Sequence, residues 1–156
     1  MRIRRAEKKD TARIHDLLEQ VEWVHHTARP DLFRPGGRKY TDDELAAIMA
    51  DDSRPIFVAV DEDDRVLGYA FCISQDHKGD HVLTDVRSLY IDDLCVDENI
   101  RGKHVGRFLY DFVVSYARER GYYNVTLNVW EGNDRAKRFY ESMGLKVQKT
   151  GMEFIL

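Results

Sequence analysis

Residues 101–107, Arg-Gly-Lys-His-Val-Gly-Arg, are the stretch of this chain whose types and spacing most directly imply chemistry. They stand between an apolar, strand-like segment ending at Val96 and an amphipathic segment starting at Val105. A turn placed there leaves backbone N–H groups unpaired at a helix start, where the positive end of the helix dipole lies. Both features attract an anion, and Arg101, Lys103 and Arg107 add charge-assisted contacts to a phosphate. Gly106, early in the helix, has no Cβ to keep an anion from the backbone. The implied ligand class is a phosphorylated cofactor. On the turn alone, a solvated connection before a capped helix remains the other reading. Neither GxxxxGK[ST] nor GxGxxG occurs, so the turn is not a P-loop or a dinucleotide fingerprint.

Other constellations are weaker. The six histidines show neither HExxH nor Cys/His zinc spacing, so no metal is expected. A G-x-S-x-G elbow is missing, which argues against hydrolase chemistry. Cys72 and Cys95 both sit in apolar runs and read as buried thiols of a reducing compartment. The acidic run 61–64 reads as a solvated turn.

The elements that must hold the turn are legible around it. Arg2–Arg5 is a short strand. Asp10 is a helix N-cap ahead of Ile14, Leu17, Leu18 and Val21 at helical spacing. Residues 25–39, with two prolines and adjacent glycines, read as a loop. Thr41 and Glu44 form a capping box that opens a second helix. Ile56–Val60 and residues 66–74 flank the acidic turn as a hairpin. Residues 82–96 read as a long strand in which the step from Ile91 to Leu94 breaks alternation, and a β-bulge would restore one inward face. From Val105, Phe108, Leu109, Phe112, Val113, Tyr116 and Ala117 form one apolar stripe that Gly121 ends. Residues 123–130 alternate as a strand. Asn133 caps a last helix carrying Ala136, Phe139, Tyr140 and Met143, ended by Gly144. Residues 145–156 are expected to supply one or two closing strands, whose apolar end at Phe154, Ile155 and Leu156 offers an edge to a second copy.

With the turn and its flanking elements in place, a family resemblance emerges. The turn resembles the acetyl-CoA-binding motif Q/R-x-x-G-x-G/A of the GNAT superfamily of N-acetyltransferases. Arg101 matches its first position and Gly106 its last, while His104 stands where glycine is preferred. Asn133 to Leu145, N-D-R-A-K-R-F-Y-E-S-M-G-L, is similar to the second signature, N-x-x-A-x-x-F-Y-x-x-x-G-F. The element order also fits from Arg2 onward. The resemblance implies a single α/β (α+β) domain over residues 1–156. Its central mixed, mostly antiparallel sheet would have about six or seven strands, splayed at the centre, with about four flanking helices.

The same resemblance implies roles. The backbone of Leu94, Cys95 and Val96 would pair with the pantetheine arm, and its N–H groups would polarise the thioester carbonyl. The pyrophosphate would lie on the N–H groups of Arg101, Gly102, Lys103, His104, Val105 and Gly106, with Arg107 nearby. Asn133 would hold the pantetheine side, a role compatible with capping its helix. Tyr140 would be the general acid for the departing thiolate, although by spacing it also belongs to its helix's apolar stripe. Asp92 and Asp93 resemble the acid pair of diamine-type members, serving proton removal or amine binding. Neighbouring strand residues point to opposite faces unless a bulge intervenes, so one of them is expected to face the site, Asp92 being preferred. The first two helices and their connection would wall the acceptor site with Trp23, His25 or His26, and Phe33. The implied reaction is acetyl transfer from acetyl-CoA to a primary amine of a small molecule or peptide by direct attack on the thioester. The alternative is a CoA-binding sensor or regulatory module without catalysis.

Composition agrees with these expectations. The 156 residues suit one domain, and 43% apolar with 33% charged residues suit a soluble globular chain. A net charge of −4 argues against general binding to nucleic acid or anionic membranes and mildly favours a cationic acceptor. No apolar run approaches the roughly 20 residues that span a bilayer. The basic N-terminus lacks the apolar region of a secretory signal, so a cytoplasmic location is expected.

Overall fold

A computed structural model of the chain describes residues 1–100 and 102–156. The strands are β1 (Arg2–Arg5), β2 (Ile56–Val60), β3 (Val66–Asp76), β4 (Arg87–Val96) and β5 (Asn124–Leu127), forming one sheet in that order. Neighbours from β1 to β4 pair antiparallel, whereas β5 pairs parallel to β4. A parallel neighbour needs a crossover, and α3 (Val105–Glu119) supplies it. The remaining α-helices are α1 (Thr11–Ala28), α2 (Asp42–Ala50) and α4 (Asp134–Ser142). No helix of the described residues is long and apolar enough to cross a membrane.

The side chains of β2 explain the layering. All five are buried. Val58 and Val60 join the core formed with Ile14, Leu17 and Leu18 of α1 and Leu45 and Ile48 of α2. Phe57 and Ala59 join the opposite core, with Val105, Leu109, Val113 and Ala117 of α3. A strand covered on both faces reads as a continuous apolar run, as Ile56–Val60 does.

The bulge expected in β4 is present. The register shifts between Phe71 and Cys72, which face Asp93 and Ile91, so Asp92 has no partner on β3. Ile91, Leu94 and Val96 consequently all reach the α3-side core.

Four expectations give way. α1 runs on to Ala28, so His25 and His26 are helical; it stops short of Arg29, the residue before Pro30, where αR is disfavoured. β4 begins at Arg87 instead of residue 82, because Asp80 accepts the Val82 and Leu83 N–H groups, each at 2.7 Å, and holds them in a turn. β5 covers only Asn124–Leu127. Residues 145–156 form no strand, so the sheet has five strands where six or seven were expected. β5 offers them an outer edge of four residues, and the apolar alternation that begins at Leu145 and Val147 stops at Lys149, Thr150 and Gly151.

Candidate functional site

β4 and β5 pair only from Ser88–Asn124 to Ile91–Leu127. Beyond that point β4 continues to Val96 without its parallel neighbour, and the chain after β5 turns towards α4. The opening between them is a cavity of about 560 Å³. Its walls are residues 92–96 of β4, residues 128–130, the start of α3, Asn133 and Tyr140 of the α4 region, and Gln20, Val21, Val24 and His25 of α1. The strand splay expected from sequence is thus the cavity itself.

In the turn before α3, Gly102 has φ 88° and His104 φ 60°. Both are left-handed, which gives the physical reason for glycine at the position His104 occupies. His104 is exposed and lines the cavity. It stands at the N-cap of α3 but makes no side-chain cap, so the first N–H groups of the helix are left for an external acceptor. Gly102, Val105, Gly106 and Arg107 line the cavity with it, whereas Lys103 is exposed and does not. Arg101 lies outside the described residues. A Cβ on Gly106 would lie 3.5 Å from Val96 Cγ2 and 3.6 Å from Phe139 Cζ. This glycine therefore keeps open the gap between the end of β4 and α4.

Leu94, Cys95 and Val96 pair with Ala70, Tyr69 and Gly68 on one edge, and β5 does not cover the other. That approach requires a glycine on β3, since a Cβ on Gly68 would stand 2.6 Å from the Cys95 carbonyl oxygen. Cys95 itself is buried, its Sγ 3.5 Å from the Leu17 carbonyl.

The bulge brings Asp92 and Asp93 to the same cavity instead of dividing them between faces. Asp93 Oδ2 accepts a 2.8 Å hydrogen bond from the buried Tyr69 hydroxyl. Asp92 Oδ2 lies 3.3 Å from Lys39 Nζ. Burial raises the Asp93 carboxyl above the usual carboxylate range, with the Lys39 charge and the Tyr69 hydroxyl opposing. Burial alone would lower Lys39, but the charges of Asp93 and Asp92 outweigh it and raise the ammonium's pKa.

Tyr140 faces these acids from α4. Burial raises its phenol above the usual range, and the Asp93 charge adds to the effect. Its ring meets Phe139 edge-on at 5.1 Å and Tyr110 at 6.4 Å, and its hydroxyl makes no hydrogen bond among the described residues. Asn133 Oδ1 accepts from the Ala136 N–H at 3.2 Å, capping α4 while lining the cavity. A phenolic proton donor and an acid pair therefore share one cavity with the uncapped start of α3. Such a set can bind a phosphorylated thioester, hold an ammonium and move protons at both.

The acceptor-side residues fall in two groups. His25 and Trp130 line the cavity. Trp23, His26 and Phe33 stand behind them: His26 Nδ1 is 2.7 Å from the Phe33 carbonyl, Trp23 meets His26 at 5.7 Å, and Phe33 meets Trp130 at 5.3 Å. Sequence reasoning missed Lys39, Tyr69, Gly68 and Trp130. Only Gly68 carried a signal, an isolated glycine inside a strand pattern.

Residues 18–145 match the Acetyltransferase (GNAT) family. The chain is 33% identical over 93 residues to the peptidyl-lysine N-acetyltransferase YjaB of Escherichia coli, an alignment covering 60% of this chain and 50% of that protein. It thus spans about half the length of that curated relative. A crystal structure of a mutant BH1408 protein from Bacillus halodurans superposes with a TM-score of 0.94 at 31% identity, covering 100% of this chain and 99% of that one. An aminoglycoside acetyltransferase from an uncultured soil metagenomic sample, in complex with sisomicin, shares the fold at a TM-score of 0.74 and 19% identity, covering 99% of this chain and 95% of its own.

Proposed function

The chain belongs to the GNAT acetyltransferase family, and from that premise we propose that it transfers the acetyl group of acetyl-CoA to a primary amine, a peptide lysine side chain being the preferred class. The observation that carries the reading is the single cavity joining the uncapped start of α3 to Tyr140 and the acid pair. The lysine preference rests on the two carboxylates, which suit a cationic acceptor, and on the peptidyl-lysine activity named for the YjaB relatives.

Acetyl-CoA supplies an acyl group activated as a thioester. The first N–H groups of α3, with Arg107, would hold its pyrophosphate. The open edge of Leu94–Val96 would align the pantetheine arm, and an N–H there would polarise the carbonyl. Asp92 and Asp93 would attract the acceptor ammonium and relay its proton away, since an amine must be neutral to attack. As the C–N bond forms and the C–S bond breaks, Tyr140 would give its proton to the thiolate sulfur. His25 and Trp130 would flank the acceptor, with Trp23, His26 and Phe33 supporting them. The proposal takes the chain as one acetyltransferase domain acting in the cytoplasm, where both substrates occur.

Thiol release from acetyl-CoA, followed against lysine peptides, polyamines and aminoglycosides, tests the reading. Turnover on lysine peptides with stoichiometric CoA supports it. CoA binding without thiol release on any amine would favour the non-catalytic CoA-binding module.

A further inference from the structure

A second cavity, of about 830 Å³, lies at the opposite end of α3 from the acyl site. Every strand but β5 contributes to it or flanks it: Arg5 from β1, Phe57 from β2, Ser74 from β3 and Arg87 from β4. The end of α3 adds Ser115, Tyr116 and Glu119, followed by Arg120 and Tyr122. We propose that this cavity is a binding site for a small phosphorylated molecule, distinct from the acyl cavity and independent of the acetyltransferase reading.

The arginines carry the inference. The Arg87 guanidinium lies over the Tyr122 ring, 4.2 Å from its centroid, and donates to the Arg120 carbonyl. The Arg120 guanidinium lies over the Tyr116 ring at 3.8 Å. Neither forms an ion pair with a carboxylate among the described residues. Stacking on the rings fixes both guanidiniums; Arg87 uses Nη2 on the Arg120 carbonyl, and the remaining N–H groups of both are left for a ligand. Arg5 donates to the Met49 carbonyl at 3.4 Å, and its one carboxylate partner among the described residues, Asp52, is 3.6 Å away and fully exposed, a contact that solvent screens to little value. Guanidinium groups held in this way match phosphate oxygens in paired N–H···O contacts.

Hydroxyls complete the lining. Tyr122 donates to Ser74 Oγ at 2.9 Å, which leaves the Ser74 proton to be given to a ligand. Ser115 is exposed on the wall. Opposing charge is modest. Asp52 projects into solvent, Glu119 is exposed at the helix end, and the dipole at a helix C-terminus amounts to about half a charge. Three guanidiniums outnumber these, and the volume is that of a small-ligand pocket.

The test is calorimetric titration of the whole chain with inorganic phosphate and with AMP, without coenzyme A, which is itself phosphorylated and would compete; the variants below assign any binding to this cavity. Saturable binding is expected, weakened about tenfold or more in the double variant Arg87→Gln with Arg120→Gln, because charge-assisted contacts are lost. Ser115→Glu, an exposed substitution that leaves the rings and arginines in place, should weaken it similarly by repulsion. Neither variant should alter affinity for coenzyme A. Absence of saturable binding, or binding unchanged in both variants, overturns the proposal. So does binding of heparin alone, which would mark a surface for a polyanionic macromolecule instead.

Discussion

Asp93 and Lys39 line or border the cavity between β4 and β5, and their pKa values bear on the proposed reaction. Asp93 is desolvated and hydrogen-bonded to Tyr69, and its pKa is raised. In the proposed reaction it must be ionised, so the acid limb of kcat/KM should lie above the ordinary carboxylate range. The Lys39 charge lowers the Asp93 pKa. Lys39→Met removes that charge, so the limb should move to higher pH; an unmoved limb would show that Asp93 does not titrate it. Tyr140 has the opposite requirement. Its raised pKa keeps the phenol protonated at neutral pH and able to donate. Tyr140→Phe should lower kcat by about 10²-fold, the lower range for a general acid, with coenzyme A affinity nearly unchanged. Equal turnover in the variant would remove Tyr140 from the mechanism. The sequence placed Tyr140 and the acid pair on the right elements, but Lys39 and Tyr69 were hidden. One sits at the end of a loop and the other mid-strand, with only tertiary packing to bring them to the acids.

Among the elements, β4 and the start of α3 do most to shape the site. Gly106 separates Val96 from Phe139, and a side chain there would close the gap between β4 and α4. Gly106→Leu should weaken coenzyme A binding by about tenfold to a hundredfold, equivalent to overpacking by about 1–3 kcal/mol, measured by calorimetry. Unaltered affinity would count against the cradle. Gly68 acts on stability instead. Its hydrogen faces the Cys95 carbonyl at a distance no Cβ tolerates, so Gly68→Ala should cost about 1–3 kcal/mol in denaturant unfolding. A neutral effect would mean that β3 can move away from β4 without penalty. The bulge was legible because apolar residues at 91, 94 and 96 have only one way to share a face. Its consequence for Asp92 and Asp93 was not, since the spacing of apolar residues says nothing about where the unpaired residue turns.

Across the whole molecule, the chain start is tied to the β2–β3 turn by charge. Asp64 meets Arg4 at 3.1 Å and Lys9 at 2.7 Å, and Arg4 reaches the buried Asp10 at 2.7 Å. Hydrogen bonds from Arg4 and Lys9 hold the Asp64 carboxyl well below the usual range. Burial alone would raise Asp10, but its pairing with Arg4 outweighs that and lowers it. A carboxyl whose folded pKa is depressed contributes stability that is present above its unfolded value, about 3.9, and is lost as pH falls through the folded value. Thermal stability should therefore fall on acidification below about pH 4, and Asp64→Asn should flatten that fall; an identical profile in the variant would exclude the cluster as its source. The sequence read the segment 61–64 as a solvated turn, and only the fold brought β1 and the residues leading into α1 against it. By itself the sequence determined the succession of helices and strands along the chain as far as β5, apart from some of their ends, because caps and apolar spacing act through neighbours a few residues away. Tertiary structure decided where β4 and β5 part, that both acids enter one cavity, and that the last residues find no strand edge. Each of those depends on groups distant along the chain meeting in space, and no local spacing encodes that meeting.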